Sequence, residues 1–521
     1  MNPTQAKNWK AIENYVRVIK EYHIHEFFND KKRMDSFSFD FNHIYFDFSK
    51  HKWNKKILDL FVSLSEEINL KEGIDLLFDG YKINQTEQRP ALHTALRQQD
   101  NKPVYVDNKN IISEIKQTQQ KLKDFSEKVI SGKWRGTTGK KITDIVNIGI
   151  GGSDLGPKMV VQALQEYRNH LNLHFLSNID PVQLNNILSK INPETTLFVV
   201  VSKSFSTQET LLNAQAIQKE YINLFGKKSI SKHFIAVSAQ TKKAQEFGIH
   251  KQNIFPMWDW VGGRFSMWSP AGISILLAVG FKNFKKLLKG AYQMDRHFKT
   301  IDFKKNLPVL AAYLSILYNN FYNFESEATI PYAEKLKLLP AYLQQLFMES
   351  NGKSIDKDGQ QVSYKTDYIH WGNAGTNAQH SFFQLLHQGT RIIPVSFIAE
   401  KSSPDKNKKN HQALLSNMIA QAEALMNGEK NIDPYKNFTG NRPSSTILIE
   451  KITPKTLGSL IAYFEHRTFV EGYLWHINGF DQFGVELGKK LAVNILHEIE
   501  NKKIDRLHDQ STENLIRKII E

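Results

Sequence analysis

The chain of 521 residues contains no cysteine, which excludes disulfides, thiolate nucleophiles and cysteine-ligated zinc. It also lacks any run near the roughly 18 consecutive apolar residues of a membrane span; "ISILLAVG" from Ile273 suits a buried helix instead. The first residues, "MNPTQAKNWKAIENY", have no apolar export core, so a cytoplasmic protein without a membrane partner is expected. No repeat of roughly 20 to 50 residues and no long low-complexity tract is visible. With 41% hydrophobic residues and 33 phenylalanines the chain is too apolar to stay disordered.

Charge is present in excess of one sign: 68 basic against 53 acidic residues give +15. The lysines gather at "KHKWNKK" (Lys50 to Lys56), "FKNFKKLLK" (Phe281 to Lys289) and "KNKKN" (Lys406 to Asn410). None of these forms an Arg-rich tail or a nucleic-acid-binding module, so no nucleic-acid partner is expected. They read as solvated faces, and the positive field they create is compatible with a phosphorylated small molecule.

Up to about Lys141 the pattern is helical: "WKAIENYVRVIKEYHIHEFF" from Trp9, "ILDLFVSLSEEI" from Ile57 and "ISEIKQTQQKLKDFSEKVI" from Ile112. From Asp144 short apolar runs alternate with helical segments. "IVNIGI", "HFLSN", "TLFVVV" and "HFIAVS" predict buried parallel strands. A second alternation starts near Lys305, with "ATIPYA", "SYKTDYIHW", "RIIPVSFIA" and "SSTILIEKI" as strands. The helices between them, such as "LPAYLQQLFMESNG", end at glycine, as helix C-termini often do. The fold class implied is α/β, with two doubly wound, mainly parallel sheets and helical N-terminal and C-terminal segments.

In such sheets ligands bind beyond the carboxyl ends of the strands. After the first strand comes "GIGGSDLG", whose glycines match neither a dinucleotide fingerprint nor a nucleotide P-loop; a tight strand-to-helix turn explains it as well as an anion site does. After the third comes "SKSFSTQET". Ser202, Ser204, Ser206 and Thr207 crowd four hydroxyls around Lys203 where a helix should begin, with Thr207 or Ser206 as the N-cap. Capping needs one hydroxyl; the surplus suits a phosphomonoester.

Reactive groups occur elsewhere. Arg264 follows two glycines in "WDWVGGRFSMWSPAG". Gln345 and Glu349 are four apart and predicted to share a helix face among apolar neighbours, although a helix glutamate is ordinarily just solvated. His380 and His387 are seven apart, again expected on one face, a spacing that does not suggest a metal pair. Lys489 falls near the start of a helix in "GFDQFGVELGKKLAV", where a surface lysine is the plain expectation.

Together these segments, in order and from "TEQRPALHTALR" (Thr86 onward) nearly to the C-terminus, resemble the glucose-6-phosphate isomerase family. The resemblance implies two sugar-isomerase (SIS-type) domains. Residues 1–110 are then a helical lead-in, 111–285 the first α/β domain with the phosphate loop, 286–480 the second, and 481–521 a helical tail carrying Lys489. It implies a phosphorylated hexose substrate, no cofactor or metal, and a homodimer in which His380 reaches the neighbouring subunit's site. Ser202, Lys203, Ser204 and Thr207 would hold the phosphate, with Gly152 and Ser153 beside the sugar and Gln345 lining the site. Glu349 matches the catalytic base, His380 and Lys489 the ring-opening pair, Arg264 the enediolate stabiliser, and Glu209 the carboxylate that partners the histidine.

The sequence departs from the family pattern at Phe347 and His476, where Asp is common, at Asn373 and Ala374, where Glu-Pro is common, and at Pro270, where a small residue is common. None is a matched catalytic position. A sugar-phosphate-binding regulator without catalysis would be expected to lack the Glu349, His380 and Lys489 set. An isomerase acting on mannose 6-phosphate is not distinguished, because C2 stereochemistry is not legible in sequence.

Overall fold

A computed structural model describes residues 2–402 and 406–521. The expected amphipathic helices form near the N-terminus: α1 (Lys7–Ile19) buries Trp9, Ile12, Val16 and Ile19, and α2 (Lys55–Glu67), capped by the Asn54 side chain, buries Ile57, Phe61 and Leu64. Between them the chain departs from the purely helical reading. There β1 (Ser38–Phe41) and β2 (Ile44–Asp47) form an antiparallel hairpin through Asn42 and His43, both at positive φ (48° and 67°). Both residue types visit that region more readily than most, but Asn-His is a weaker turn signal than Asn-Gly.

The helix α3 (Ile112–Ile130) has the bounds its apolar spacing predicts. Five strands follow: β3 (Asp144–Ile148), β4 (Asn172–Leu176), β5 (Thr196–Val201), β6 (Phe234–Ser238) and β7 (Ile254–Pro256). They form a wholly parallel sheet in the order β4-β3-β5-β6-β7. Strands β3 and β5 are buried throughout, as strands covered on both faces must be. The three-residue β7, ending in proline, was too short to announce itself. Helices α4 (Leu155–Ala163) and α5 (Gln208–Phe225) lead off from β3 and β5, and α6 (Ile273–Thr300), interrupted at Gly280 (φ 76°), follows β7.

The second alternation gives α7 (Leu307–Ile316), β8 (Ser326–Tyr332), α8 (Leu339–Gln344), β9 (Ile369–Trp371), α9 (Gly375–Gln379), α10 (Phe383–Gln388), β10 (Val395–Glu400), α11 (Lys408–Asn427), β11 (Ser444–Ile449) and α12 (Pro454–Leu474). Its sheet runs β1-β2-β11-β10-β8-β9. The last four are parallel, and the N-terminal hairpin adds an antiparallel edge through β2 on β11. The residues from Phe480 onward form a separate unit with α13 (Glu486–Glu500) and α14 (Gln510–Ile520). Among the described residues no helix is long and apolar enough to cross a membrane.

Helices α6 and α12 approach closely because glycines meet backbone. A Cβ at Gly458 would lie 2.0 Å from the Leu287 carbonyl oxygen, and one at Gly290 would lie 1.8 Å from that of Lys455. Nearly all of α12 is buried, Glu465, His466, Arg467 and Glu471 included, so its charges need partners. Arg97 chelates Asp295 (2.8 and 2.6 Å) and also bonds Glu465, while His466 bonds Asp295 at 2.7 Å. Arg467 forks onto Glu327 of β8 and reaches Glu471 at 2.7 Å. Burial alone would push Glu327 up, but the guanidinium outweighs it and holds the carboxyl at about 2.

A carboxyl depressed from 4.5 stabilises the fold above its unfolded value, a contribution withdrawn as pH falls toward the folded one. Arg467→Met leaves two buried carboxylates without their cation, which costs about 3–5 kcal/mol. In the variant the strongest opposition to burial is gone, so the carboxyls take up protons more readily as pH falls. Thermal unfolding should therefore show a midpoint deficit that is largest at neutral pH and shrinks on acidification; a pH-independent deficit would contradict this pairing.

Candidate functional site

Beyond the carboxyl end of β3, the backbone turns through Gly149, Ile150 and a short 3-10 turn, Gly151–Ser153. Gly151 has φ +60°, and a Cβ there would meet Gln345 Nε2 at 3.0 Å. Gly152 lies against another turn: its Cβ would be 2.0 Å from the Gly263 carbonyl oxygen. Gly151 is required by its positive φ, and Gly152 by close approach between separate segments. The backbone carbonyl of Ser153 accepts a bond from Asn147 Nδ2 at 3.0 Å.

The loop after β5 carries the hydroxyls. Thr207 occupies the N-cap position of α5, but its side chain caps no backbone N–H; its Oγ1 lies 3.2 Å from Ser202 Oγ. Ser206 donates to Ser204 at 2.7 Å, and both are exposed. Between them Phe205 adopts φ 46° and is buried, its ring edge-on to Phe247. The buried phenyl anchors the loop while the flanking serines face outward. Glu209 is half-buried in the first turn of α5.

Lys203 has a placement that the sequence does not reveal. Its ammonium donates to the carbonyls of Asp259 (3.0 Å) and Val261 (3.2 Å) and lies 3.8 Å from the Asp259 carboxylate. Burial lowers its pKa. The side chain therefore ties the hydroxyl loop to the segment leading into Arg264.

Arg264 belongs to the 3-10 turn Gly263–Trp268 and is buried. Nε donates to Ser350 Oγ at 2.6 Å, Nη2 to the Gly479 carbonyl at 2.8 Å, and Nη1 approaches Glu349 Oε1 at 3.3 Å. Glu349, its side chain 21% exposed, keeps access to solvent. It ends a π-turn, Gln345–Glu349, that continues α8. The shared face expected for Gln345 and Glu349 thus lies on a widened turn rather than a regular α-helix, a feature common at functional sites. The Gln345 amide oxygen is buried without a hydrogen-bond partner. Lys353 holds the end of this turn by donating to the carbonyls of Glu349, Ser350 and Asn478.

The structure brings together Gly152, Gln345, Glu349 and Arg264 through this set of close contacts, with the hydroxyl loop tied in by Lys203. His380 stands apart: it is exposed just past the end of α9, and no hydrogen bond joins its ring to Glu349 or Gln345. The single helix face expected for His380 and His387 is corrected. The chain breaks between α9 and α10, and His387 bonds Gln421 at 2.7 Å. Lys489 is exposed in the first turn of α13, within the unit that starts at Phe480. Among the described residues no group of three or more His, Asp or Glu could hold a metal ion.

Sequence reasoning missed Ser350, Lys353 and the carbonyls that receive Lys203. A serine after a helical glutamate carries no signal of an arginine 86 residues away. The departure Phe347 finds an explanation in packing: its ring stacks on His370 (4.2 Å between centroids) and lies under the Arg467 guanidinium at 4.7 Å.

Residues 47–516 match the family described as phosphoglucose isomerase. The chain belongs to this family. It is 48% identical to glucose-6-phosphate isomerase of Christiangramia forsetii, covering 99% of both chains. It is also 48% identical to that of Buchnera aphidicola subsp. Schizaphis graminum, covering 99% of this chain and 97% of the relative. A crystal structure of a glucose-6-phosphate isomerase from Chlamydia trachomatis superposes with TM-score 0.87 at 33% identity, covering 99% of each chain. Membership fits the pair of mainly parallel sheets found here.

The contact of Gly152 with Gly263 makes a paired test. Gly152→Ala forces a methyl into the Gly263 carbonyl, overpacking that should cost about 1–3 kcal/mol and lower the thermal midpoint. Gly263→Ala, whose Cβ would meet nothing within 4 Å, should leave it nearly unchanged. Equal effects of the two would show that the contact does not constrain the turns.

Proposed function

We propose that the protein interconverts D-glucose 6-phosphate and D-fructose 6-phosphate through ring opening and a cis-enediol intermediate, in glycolysis and gluconeogenesis. The observation that supports this most is the 3.3 Å approach of the buried Arg264 guanidinium to the partly exposed Glu349 carboxylate. A base and a fixed cation stand side by side, beyond strands whose neighbouring loop is lined with hydroxyls.

The phosphate is assigned to Ser202, Ser204 and Thr207 at the start of α5, where backbone N–H groups and hydroxyls favour an anion. Lys203 supplies fixed positive charge beside them. Gly152 and Ser153 lie along the sugar, and Gln345 lines the site. A cyclic hexose hides its carbonyl, so a proton must reach the ring oxygen while another leaves the anomeric hydroxyl, the role given to His380 and Lys489. His380 is assigned to the site of a second subunit in a homodimer, which its exposed position just past α9 suits, and Glu209 to the carboxylate that orients such a histidine.

Glu349 then takes the C2 proton of the open aldose and returns it to C1, while the hydroxyl proton on O2 passes to O1. Charge gathers on oxygen in the intermediate. A guanidinium already held by Ser350 and Gly479 stabilises it without reorganising. The cytoplasm is the compartment expected for this chemistry. A second reading, a sugar-phosphate-binding regulator, would need no base beside the arginine.

Incubation with glucose 6-phosphate in deuterium oxide tests the chemistry. Wild type should place deuterium at C2 of the aldose and C1 of the ketose, and Glu349→Gln should lower turnover by about 10²–10⁴-fold with retained binding. Binding by wild type without exchange or product would replace the isomerase with the regulator.

A further inference from the structure

We propose that Ser350 is a positioning residue that fixes the angle and reach of Arg264, an inference resting on the enediolate role given to Arg264 above. The guanidinium presents five N–H groups in one rigid plane. Ser350 Oγ accepts from Nε at 2.6 Å and the Gly479 carbonyl accepts from Nη2 at 2.8 Å. Both acceptors are neutral, so they orient the cation without cancelling its charge. Nη1 is the nitrogen that meets Glu349.

Ser350 is fully buried and cannot touch a substrate that enters from solvent. It follows Glu349 directly, just past the end of the π-turn, so one short piece of backbone carries the base and sets the arginine. The turn is itself held: Lys353 bonds the carbonyls of Glu349 and Ser350, and Asn351 Nδ2 reaches Thr468 O (3.1 Å) and Glu471 (3.2 Å) on α12. Base and cation thereby keep a fixed separation. Without the Ser350 hydroxyl the guanidinium loses the acceptor of its Nε and tilts about its remaining contacts toward the Glu349 carboxylate, out of line with the oxygens of the intermediate.

Ser350→Ala should lower kcat by about 10- to 100-fold, short of the loss expected for deleting a stabilising donor outright, while KM changes less than about threefold. Ser350→Cys keeps the branching and leaves no cavity, replacing the hydroxyl by a larger atom that is a poor acceptor, and should show the same split even if the alanine variant folds badly. A phosphorylated five-carbon hydroxamate, planar and anionic like the enediolate, should bind the cysteine variant more weakly in step with kcat. A hexitol 6-phosphate, which has no such group, should bind as it does to wild type. A merely structural defect would weaken both ligands together. Arg264→Lys separates the two readings. If it keeps wild-type kcat, the role of Arg264 fails and the inference with it. If it loses activity while Ser350→Cys stays within twofold of wild type, only the role of Ser350 is overturned.

Discussion

A guanidinium removed from water must find acceptors in the protein, and the contacts of Arg264 draw the site together for that reason. Its side chain is 1% exposed. To be tolerated there it needs hydrogen bonds along its fork, and the acceptors come from segments far apart in sequence: Glu349 at the end of the π-turn with Ser350 just after it, and Gly479 just before Phe480. Satisfying one cation therefore registers the turn after β7 against the turn after α8. The approach of Gly152 to Gly263 adds the turn after β3, and Lys203 adds the loop after β5.

Rigidity behind this cluster comes from α12. A helix buried on nearly every side would ordinarily be apolar, yet this one carries Glu465, His466, Arg467 and Glu471 inside the protein. Burial drives Glu465 and Glu471 up to about 7 against the opposing pull of Arg97 and Arg467. The same network reaches Asn351, one residue beyond Ser350. Buried ion pairs of this kind add little net stability, but removing one member is costly. They hold geometry, and the geometry held is that of the turn bearing Glu349.

Much of this was legible in sequence where a local pattern has one structural meaning. "TLFVVV" could hardly be anything but a central parallel strand, and β5 has the predicted bounds. The crowding of hydroxyls after it marked a helix start, and α5 begins there. The hairpin β1–β2 escaped because its turn is Asn-His and its strands are short, so tertiary pairing rather than local propensity made it. The break at His380 was hidden by an apolar periodicity that continues through "SFFQLL" although the helix does not. Within the site, residue types could be matched to the family's motifs. The contacts of Lys203 and Ser350 run to partners 56 and 86 residues away and leave no trace in spacing.

The hairpin at the N-terminus also orders events in time. Its strand β2 pairs with β11, so residues 44–47 meet 446–449. On a ribosome adding about 5–20 residues per second, that partner emerges about 20–80 s after the hairpin. The first sheet, built from one contiguous stretch between Asp144 and Pro256, needs no such wait. Newborn chains therefore pass through a stage in which one sheet is complete and Phe46, fully buried in the finished protein, still lacks Tyr463 of α12, whose ring lies 5.0 Å from its own. That exposed strand edge is where a chaperone would be most useful and where premature association between unfinished chains would start.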